Sequence, residues 1–426
     1  MDNTLWYSFF PLLPLLIGFY LHLMLGHKKG GVSKPAIFYL FLLGVYLVYV
    51  PITDRLLGIN SFFGYQLPFG KAIDTRIAII YSLVIFSFSM GSLLPALFFK
   101  RNSVSIRGLN GIEKSDRFRT VLYAWQVLVW GFFFFNLSAS GISILGVFDP
   151  FNRSEQAILF SAAFRYPLLD LCTLSIPVCL FLLLQSGRKL GVLWWVFLIF
   201  WLVISILGGW RFRVILFVLF LVFWQLSLAY RWKVLLSSAI ILSLVLAWLT
   251  LNRMAIAKRQ FDLITFDLTQ FDPALFNNEF SNSRTFRATL SAPGADLAPG
   301  LNGWIKTDNS TKPWILEISK SWIPDGWPWN PNPALSQPEE FYLLFGLFGM
   351  SLAMFLLGIW TGFLGLIGGD KLSDAFQIVG TALLFQWISR GYFLFQLKIT
   401  VICLLPFLLL WLLKPYLSGK INENEA

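Results

Sequence analysis

The polar side chains that could do chemistry in this chain are arginines, carboxylates and hydroxyls. Only two histidines are present, His22 and His27, and both lie at the end of the first apolar run. The three cysteines, Cys172, Cys179 and Cys403, fall inside apolar runs. That distribution argues against a disulfide framework and a zinc site, and it leaves no His/Cys cluster for nucleophilic chemistry. The most conspicuous candidate is Gly208-Gly209-Trp210-Arg211-Phe212-Arg213, where two arginines interrupt two apolar stretches. A guanidinium placed there needs protein, water or an anion. Its planar fork matches phosphate oxygens bidentately, so a diphosphate is the natural partner of several converging arginines. Arg211 and Arg213 are two apart, so on a helix they point to opposite faces, and only one of them readily faces a shared pocket. Arg253 and Arg390, the latter within Ser389-Arg390-Gly391-Tyr392, are the other candidates for such a site. For each arginine the alternative is a helix-end side chain that snorkels to the headgroups.

The carboxylates suggest proton transfer. Ser336-Gln337-Pro338-Glu339-Glu340 contains an S-x-x-E capping box, which assigns Glu339 first of all to a helix N-terminus. Glu340 is a second carboxylate beside it, and Glu340 or Glu339 is the candidate general base. Asp170, in Arg165-Tyr166-Pro167-Leu168-Leu169-Asp170, sits inside an apolar run, where an acid is either functional or paired with a neighbouring helix; Arg165 precedes it. No P-loop or HExxH motif is present, and neither a cofactor nor a metal is expected.

The elements that position these residues are apolar. The sequence is 57% hydrophobic and 18% aromatic but only 13% charged, and apolar runs of about 18 residues recur along its whole length. Such runs predict an all-α, polytopic membrane protein; a β-barrel would alternate. Eleven segments are expected, at about 6–26, 35–53, 76–99, 120–140, 164–186, 190–207, 212–230, 234–251, 340–368, 373–390 and 396–414. The first lacks a small-residue cleavage site and reads as a retained helix rather than a signal peptide. Three regions result: a membrane region over 1–251 with eight helices, a large polar loop over 252–339, and a membrane region over 340–426 with three helices and a short tail. The loop carries Trp304, Trp314, Trp322, Trp327 and Trp329, too aromatic for a disordered linker, and suits a compact cap on a bilayer surface. Helices are expected between Arg253 and Phe271. Gly358-Ile359-Trp360-Thr361-Gly362 has the small-x-x-x-small pattern of a helix-packing face.

The net charge of +11 encodes topology rather than nucleic-acid binding. Alternate short loops are rich in lysine and arginine, beginning with Lys28, Lys29 and Lys34 and then Lys100 to Arg119, while the intervening ones are poorer. The rich set is expected to be cytoplasmic, which places the N-terminus and the 252–339 loop outside and the C-terminus inside. Arg211, Arg213, Arg253 and Arg390 then fall on the outer side, where the charge rule does not ask for them.

Taken together, these features resemble the bacterial O-antigen polymerases, the oligosaccharide repeat-unit polymerase family. The resemblance rests on the helix number with one late external loop, on Gly208-Gly209-Trp210-Arg211, on Glu339/Glu340 leading into Phe345-Gly346-Leu347-Phe348-Gly349, and on Ser389-Arg390-Gly391. It implies a glycosyltransferase in the bacterial inner membrane. The substrate would be a polyprenyl-diphosphate-linked oligosaccharide, and the partners would be the bilayer and a chain-length regulator or flippase. The resemblance implies that Arg211, Arg253 and Arg390, with Arg213 as a second contact, hold the diphosphate and that Glu340 or Glu339 is the base. Three alternatives stand beside it. An O-antigen ligase resembles enzymes that use a histidine in the late loop, and no histidine follows His27. A flippase would show internal repeats. A monoglycosyltransferase using a polyprenyl-phosphate sugar would place catalytic acids in the first external loop, where Asp54 stands.

Overall fold

The computed structural model describes residues 5–28, 33–62, 65–99, 106, 111–139, 166–187, 191–207, 211–228, 244, 248, 251–252, 265, 267, 282–291, 322, 335–389 and 393–417. Most of them are helical, and the one sheet among them is a short β-hairpin. Among the described residues, four helices are long and apolar enough to cross a membrane: Leu5–Leu25, Lys34–Leu56, Lys71–Phe98 and Gln337–Leu364. The chain divides into two compact units, each discontinuous in sequence.

The first unit comprises Met1–Val104, Pro273–Ile367 and Leu383–Gln396. It begins with α1 (Leu12–Lys28) and α2 (Lys34–Gly44). A π-helical turn, Val45–Tyr49, joins α2 without a break to α3 (Val50–Leu56). The hairpin β1 (Ser61–Phe62) and β2 (Tyr65–Gln66) leads to α4 (Lys71–Phe98). After these come the ten-residue α5 (Asn282–Ser291) and α6 (Gln337–Leu364). The core is a continuous apolar cluster that includes Tyr39, Leu43, Tyr46, Tyr81, Val84, Phe88, Phe286, Met350, Met354, Leu384 and Ile388.

The α4–α6 contact is the closest in the unit, and glycine makes it so. A Cβ on Gly91 would collide with the carbonyl of Phe355, and one on Gly358 would meet the carbonyl of Phe88 and lie 2.8 Å from the Ser92 nitrogen. Gly362 faces the Ser92 carbonyl in the same way. The small-residue pattern at 358–362 therefore packs backbone on backbone, where dispersion rather than side-chain burial holds two apolar helices together. Beside this seam His22 shares a 2.9 Å hydrogen bond with Ser92, so it is a satisfied packing residue between α1 and α4. Helix α6 is interrupted at Gly346, whose φ of 67° and ψ of −169° are open to glycine and strained for other residues.

The second unit comprises Ser105–Asp272, Gly368–Ala382 and Leu397–Ala426. Within it, α7 (Asp116–Ala139), α8 (Tyr166–Ser186), α9 (Val192–Leu207) and α10 (Arg211–Leu228) pack through aromatic pairs. Examples are Tyr123 with Trp194 at 5.0 Å and Trp201 with Phe217 at 5.4 Å. Gln126 donates to Ser175 across 3.2 Å. Two further helices, α11 (Lys371–Ser389) and α12 (Phe393–Leu412), contribute residues to both units. Helices lie over ten of the eleven expected apolar segments, of which four are long and apolar enough to cross a membrane, and the eighth, 234–251, lies almost entirely outside the described residues.

Candidate functional site

The polar centre of the first unit gathers where α3 ends, α4 and α6 begin, and α5 is seated. Asp54 closes α3 and Asp74 lies in the first turn of α4. Arg284 and Arg287, one helical turn apart on α5, reach back to them. Arg284 grips Asp54 bidentately, Nε donating to Oδ2 at 2.8 Å and Nη2 to Oδ1 at 2.6 Å. Arg287 donates to Asp74 Oδ1 at 2.5 Å and to the Pro68 carbonyl at 3.1 Å. The other Asp74 oxygen accepts from Arg55. The guanidiniums of Arg55 and Arg287 lie over the Phe69 ring, 3.9 Å and 4.5 Å from its centroid. All five charged groups are buried or nearly so. Ion pairs this dry hold only when the geometry satisfies both partners. A narrow cleft opens among Asp54, Phe69, Tyr81, Ser283, Arg284 and Arg287.

Helix α5 lies in the polar 252–339 stretch and is itself polar, yet every residue from Asn282 to Thr289 is buried. Its polar side chains are held by hydrogen bonds and ion pairs, and its apolar ones pack into the core. Asn282 Nδ2 donates to the carbonyls of Ile388 and Ser389, at 3.2 Å and 3.0 Å, and so caps the end of α11. Phe286, between the two arginines, stacks on Tyr81 and meets Tyr342 edge-on. Ala288 packs with Phe62, Leu67 and Trp322, which bury the hairpin's inner face.

Below Phe286 the Tyr81 hydroxyl donates to Glu339 Oε1 at 2.6 Å. Glu339 Oε2 accepts from the Ser336 backbone N–H at 2.7 Å. The capping box expected at Ser336-x-x-Glu339 is thus present, and both carboxylate oxygens of Glu339 are engaged. Glu340 is buried next to it, with its N–H on the Ser336 carbonyl. Gln337 accepts from Tyr39, and Arg76 donates to the Tyr342 hydroxyl at 2.8 Å from the more open side.

Of the residues singled out in the sequence, Glu339 and Glu340 stand in this centre. Arg211 opens α10 in the second unit, and half-buried Arg213 follows in the same first turn. Asp170 lies in α8, with its side chain outside what is described. Arg165, Arg253 and Arg390 lie outside the described residues, although Ser389, adjacent to Arg390, is the residue that Asn282 caps. Thr265 and Asp267 are not helical, and the rest of the expected 253–271 helices falls outside the described residues. Of the five loop tryptophans, Trp322 is described, and it is buried against Phe62.

The sequence reading passed over Arg284, Arg287 and Asp74, and gave Asp54 only a minor place. One signal pointed to them: two arginines at i and i+3 in Asn282-Ser283-Arg284-Thr285-Phe286-Arg287, with an aromatic between them. Among the described residues, no group of three or more His, Cys, Asp or Glu side chains could hold a metal ion. No known family model, curated protein or solved structure matches the chain.

Proposed function

We propose that the chain is a membrane glycosyltransferase that joins oligosaccharide repeat units carried on polyprenyl diphosphate at the outer face of a bacterial inner membrane, within an eleven-helix architecture. The observation that carries this reading is the seating of α5. One polar helix from the long loop caps the end of α11 beside Arg390 and presses on the Tyr81–Glu339 pair at the start of α6. Helix α5 thus touches Ser389, the first residue of one motif behind the family resemblance, and Tyr81, the hydrogen-bond partner of Glu339 in another.

In the proposed reaction, a hydroxyl at the non-reducing end of the incoming unit attacks the anomeric carbon of the growing chain. The new C–O bond forms as the bond to the lipid diphosphate breaks, and the electron pair leaves on the diphosphate. Glu340 is the proposed acceptor of the hydroxyl proton, with Glu339 committed to the helix cap. Arg211, Arg253 and Arg390, with Arg213 beside them, are the proposed stabilisers of the diphosphate charge, so the reaction needs no cofactor. A chain-length regulator and a flippase are the proposed partners.

A second reading draws on Asp54 and Asp74. Both are buried acids in the first external stretch, where a monoglycosyltransferase using a polyprenyl-phosphate sugar would carry its catalytic carboxylates. Their engagement by Arg284 and Arg287 favours a structural role and ranks this reading second.

Gene deletion, followed by gel analysis of surface polysaccharide and complementation, tests both. Loss of the polymer ladder with single-unit caps retained, restored by the wild-type chain but not by Glu340→Gln or Arg211→Ala, is the expected result. Loss of every capped species would favour a ligase or flippase. An intact ladder with a missing side-branch sugar would favour the monoglycosyltransferase. Full laddering from the Arg211→Ala protein would remove Arg211 from the site.

A further inference from the structure

Helix α5 poses a physical problem. Ten residues are too few for a stable helix in isolation, and most of the buried residues of this one are polar. Apolar burial contributes mainly through Phe286, Ala288 and the partly buried Leu290. The guanidiniums of Arg284 and Arg287 would oppose seating if they entered without partners. What reverses their sign is a pair of carboxylates offered by two different elements, Asp54 at the end of α3 and Asp74 at the start of α4. Asp74 suits the helix N-terminus it occupies, whereas Asp54 sits at a helix C-terminus, where a negative charge is locally unfavourable. Its position makes sense through Arg284. Arg55, the residue after Asp54, shares Asp74 with Arg287, so the two pairs are cross-tied and act as one clasp.

The clasp has a consequence deeper in the unit. Phe286 lies between the two clasped arginines in sequence and projects onto Tyr81, ring centroids 6.0 Å apart and planes 23° from parallel. Tyr342 closes the other side of Phe286 at 5.8 Å and 89°. The stacked Tyr81 ring presents its hydroxyl to Glu339 at 2.6 Å.

We propose that Asp54 and Asp74 are positioning residues: by holding Arg284 and Arg287 they seat α5, and the seated helix, through Phe286, fixes the Tyr81 hydroxyl on Glu339 beside the proposed base. This rests on the glycosyltransferase reading for its effect on transfer, while the seating itself is independent of any activity.

Trypsin reads the seating directly, because it cuts after arginine and Arg284 and Arg287 are buried in the wild type. In full-length protein in native membranes, the wild type is expected to resist cutting at both sites. Asp54→Asn and Asp74→Asn are expected to release fragments that begin at Thr285 or Ala288, identified by mass spectrometry. The exchange Asp54→Arg with Arg284→Asp restores resistance at Arg287, the cleavage site that the exchange leaves in α5. Transfer is read as polymer formed from lipid-linked units. Asp74→Asn and Tyr81→Phe each lower the maximal rate, by roughly tenfold, with half-saturation unchanged, and the double variant is no slower than the slower single. Phe286→Leu lowers the rate without tryptic cutting, which covers the case in which an Asp variant fails to accumulate. Wild-type resistance in both Asp variants, multiplying rate losses in the double variant, or a wild-type rate for Phe286→Leu would each overturn the proposal. A wild-type protein that makes no polymer would defeat the glycosyltransferase reading alone, and the trypsin result would still decide the seating.

Discussion

Arg284 holds Asp54 by two hydrogen bonds across 230 residues of sequence, one from Nε at 2.8 Å and one from Nη2 at 2.6 Å, with both side chains out of solvent. This fork ties a segment of the polar 252–339 stretch to the end of a helix long and apolar enough to cross a membrane. The value of such a pair shows when it is broken rather than when it is counted, because a lone buried charge has nowhere to go.

Asp54→Ala is expected to destabilise the protein by about 3–5 kcal/mol, because it removes the carboxylate that buried Arg284 grips. Removing both partners together, as Asp54→Ala with Arg284→Met, should cost less than Asp54→Ala alone. Thermal unfolding of the purified protein in detergent checks the order. Arg76→Ala is the contrast, since Arg76 meets Tyr342 at a more open position and its loss should cost under about 1 kcal/mol.

The glycine seam predicts a steric effect. Gly358→Leu or Gly91→Leu must push α4 and α6 apart, because the nearest atoms are backbone and cannot rotate away. Overpacking of this kind costs about 1–3 kcal/mol, and lost packing along the seam adds to it. Yield of folded protein and melting temperature should both fall, and Gly131→Leu, where nothing lies within 4 Å of the added Cβ, should leave them near wild type.

Gly346 predicts a conformational effect without a steric one. A Cβ there would meet nothing within 4 Å, yet the backbone lies in a region that L side chains avoid. Gly346→Ala should therefore cost about 1–3 kcal/mol through backbone strain alone. A melting temperature equal to that of the wild type would show that α6 can straighten at no cost.

The two adjacent glutamates should separate in function. Glu339 accepts one hydrogen bond on each oxygen; in Glu339→Gln the amide oxygen still accepts from the Ser336 N–H and the amide nitrogen can donate to a reoriented Tyr81 hydroxyl, so the variant should accumulate normally. Glu339→Ala loses the cap and about 0.5–2 kcal/mol. Glu340→Gln should keep stability and lose polymer formation by about 10²–10⁴-fold if it is the base. Polymer rate measured against protein level in membranes makes the comparison.

The apolar helices were legible because burial in hydrocarbon leaves a long, uninterrupted signal. The α4 and α6 runs, the Ser336-x-x-Glu339 cap and the Gly358/Gly362 face all read correctly, since each depends on neighbours within a few residues. The clasp was not legible in the same way. Arg284 and Arg287 look like ordinary loop charges until their partners, more than 200 residues earlier, are known. Helix α5 has only Phe286 and Leu290 as an apolar face to announce it, and hydrogen bonds and ion pairs hold the rest in place. The break at Gly346 was hidden as well, because Phe-Gly-Leu-Phe-Gly suits a straight packing helix equally well.

The wide turn at Val45–Tyr49 sets the aim of everything after it. A π turn carries one residue more than the α turn it replaces, so the helix beyond it is out of phase with the helix before. If the same residues ran as ordinary α-helix through 45–49, with none removed, α3 would be rotated by about 100°. Asp54 would then swing away from Arg284 with neither charge altered. The reach of the long loop into the first unit thus depends on how the helix wall opposite takes up a single extra residue.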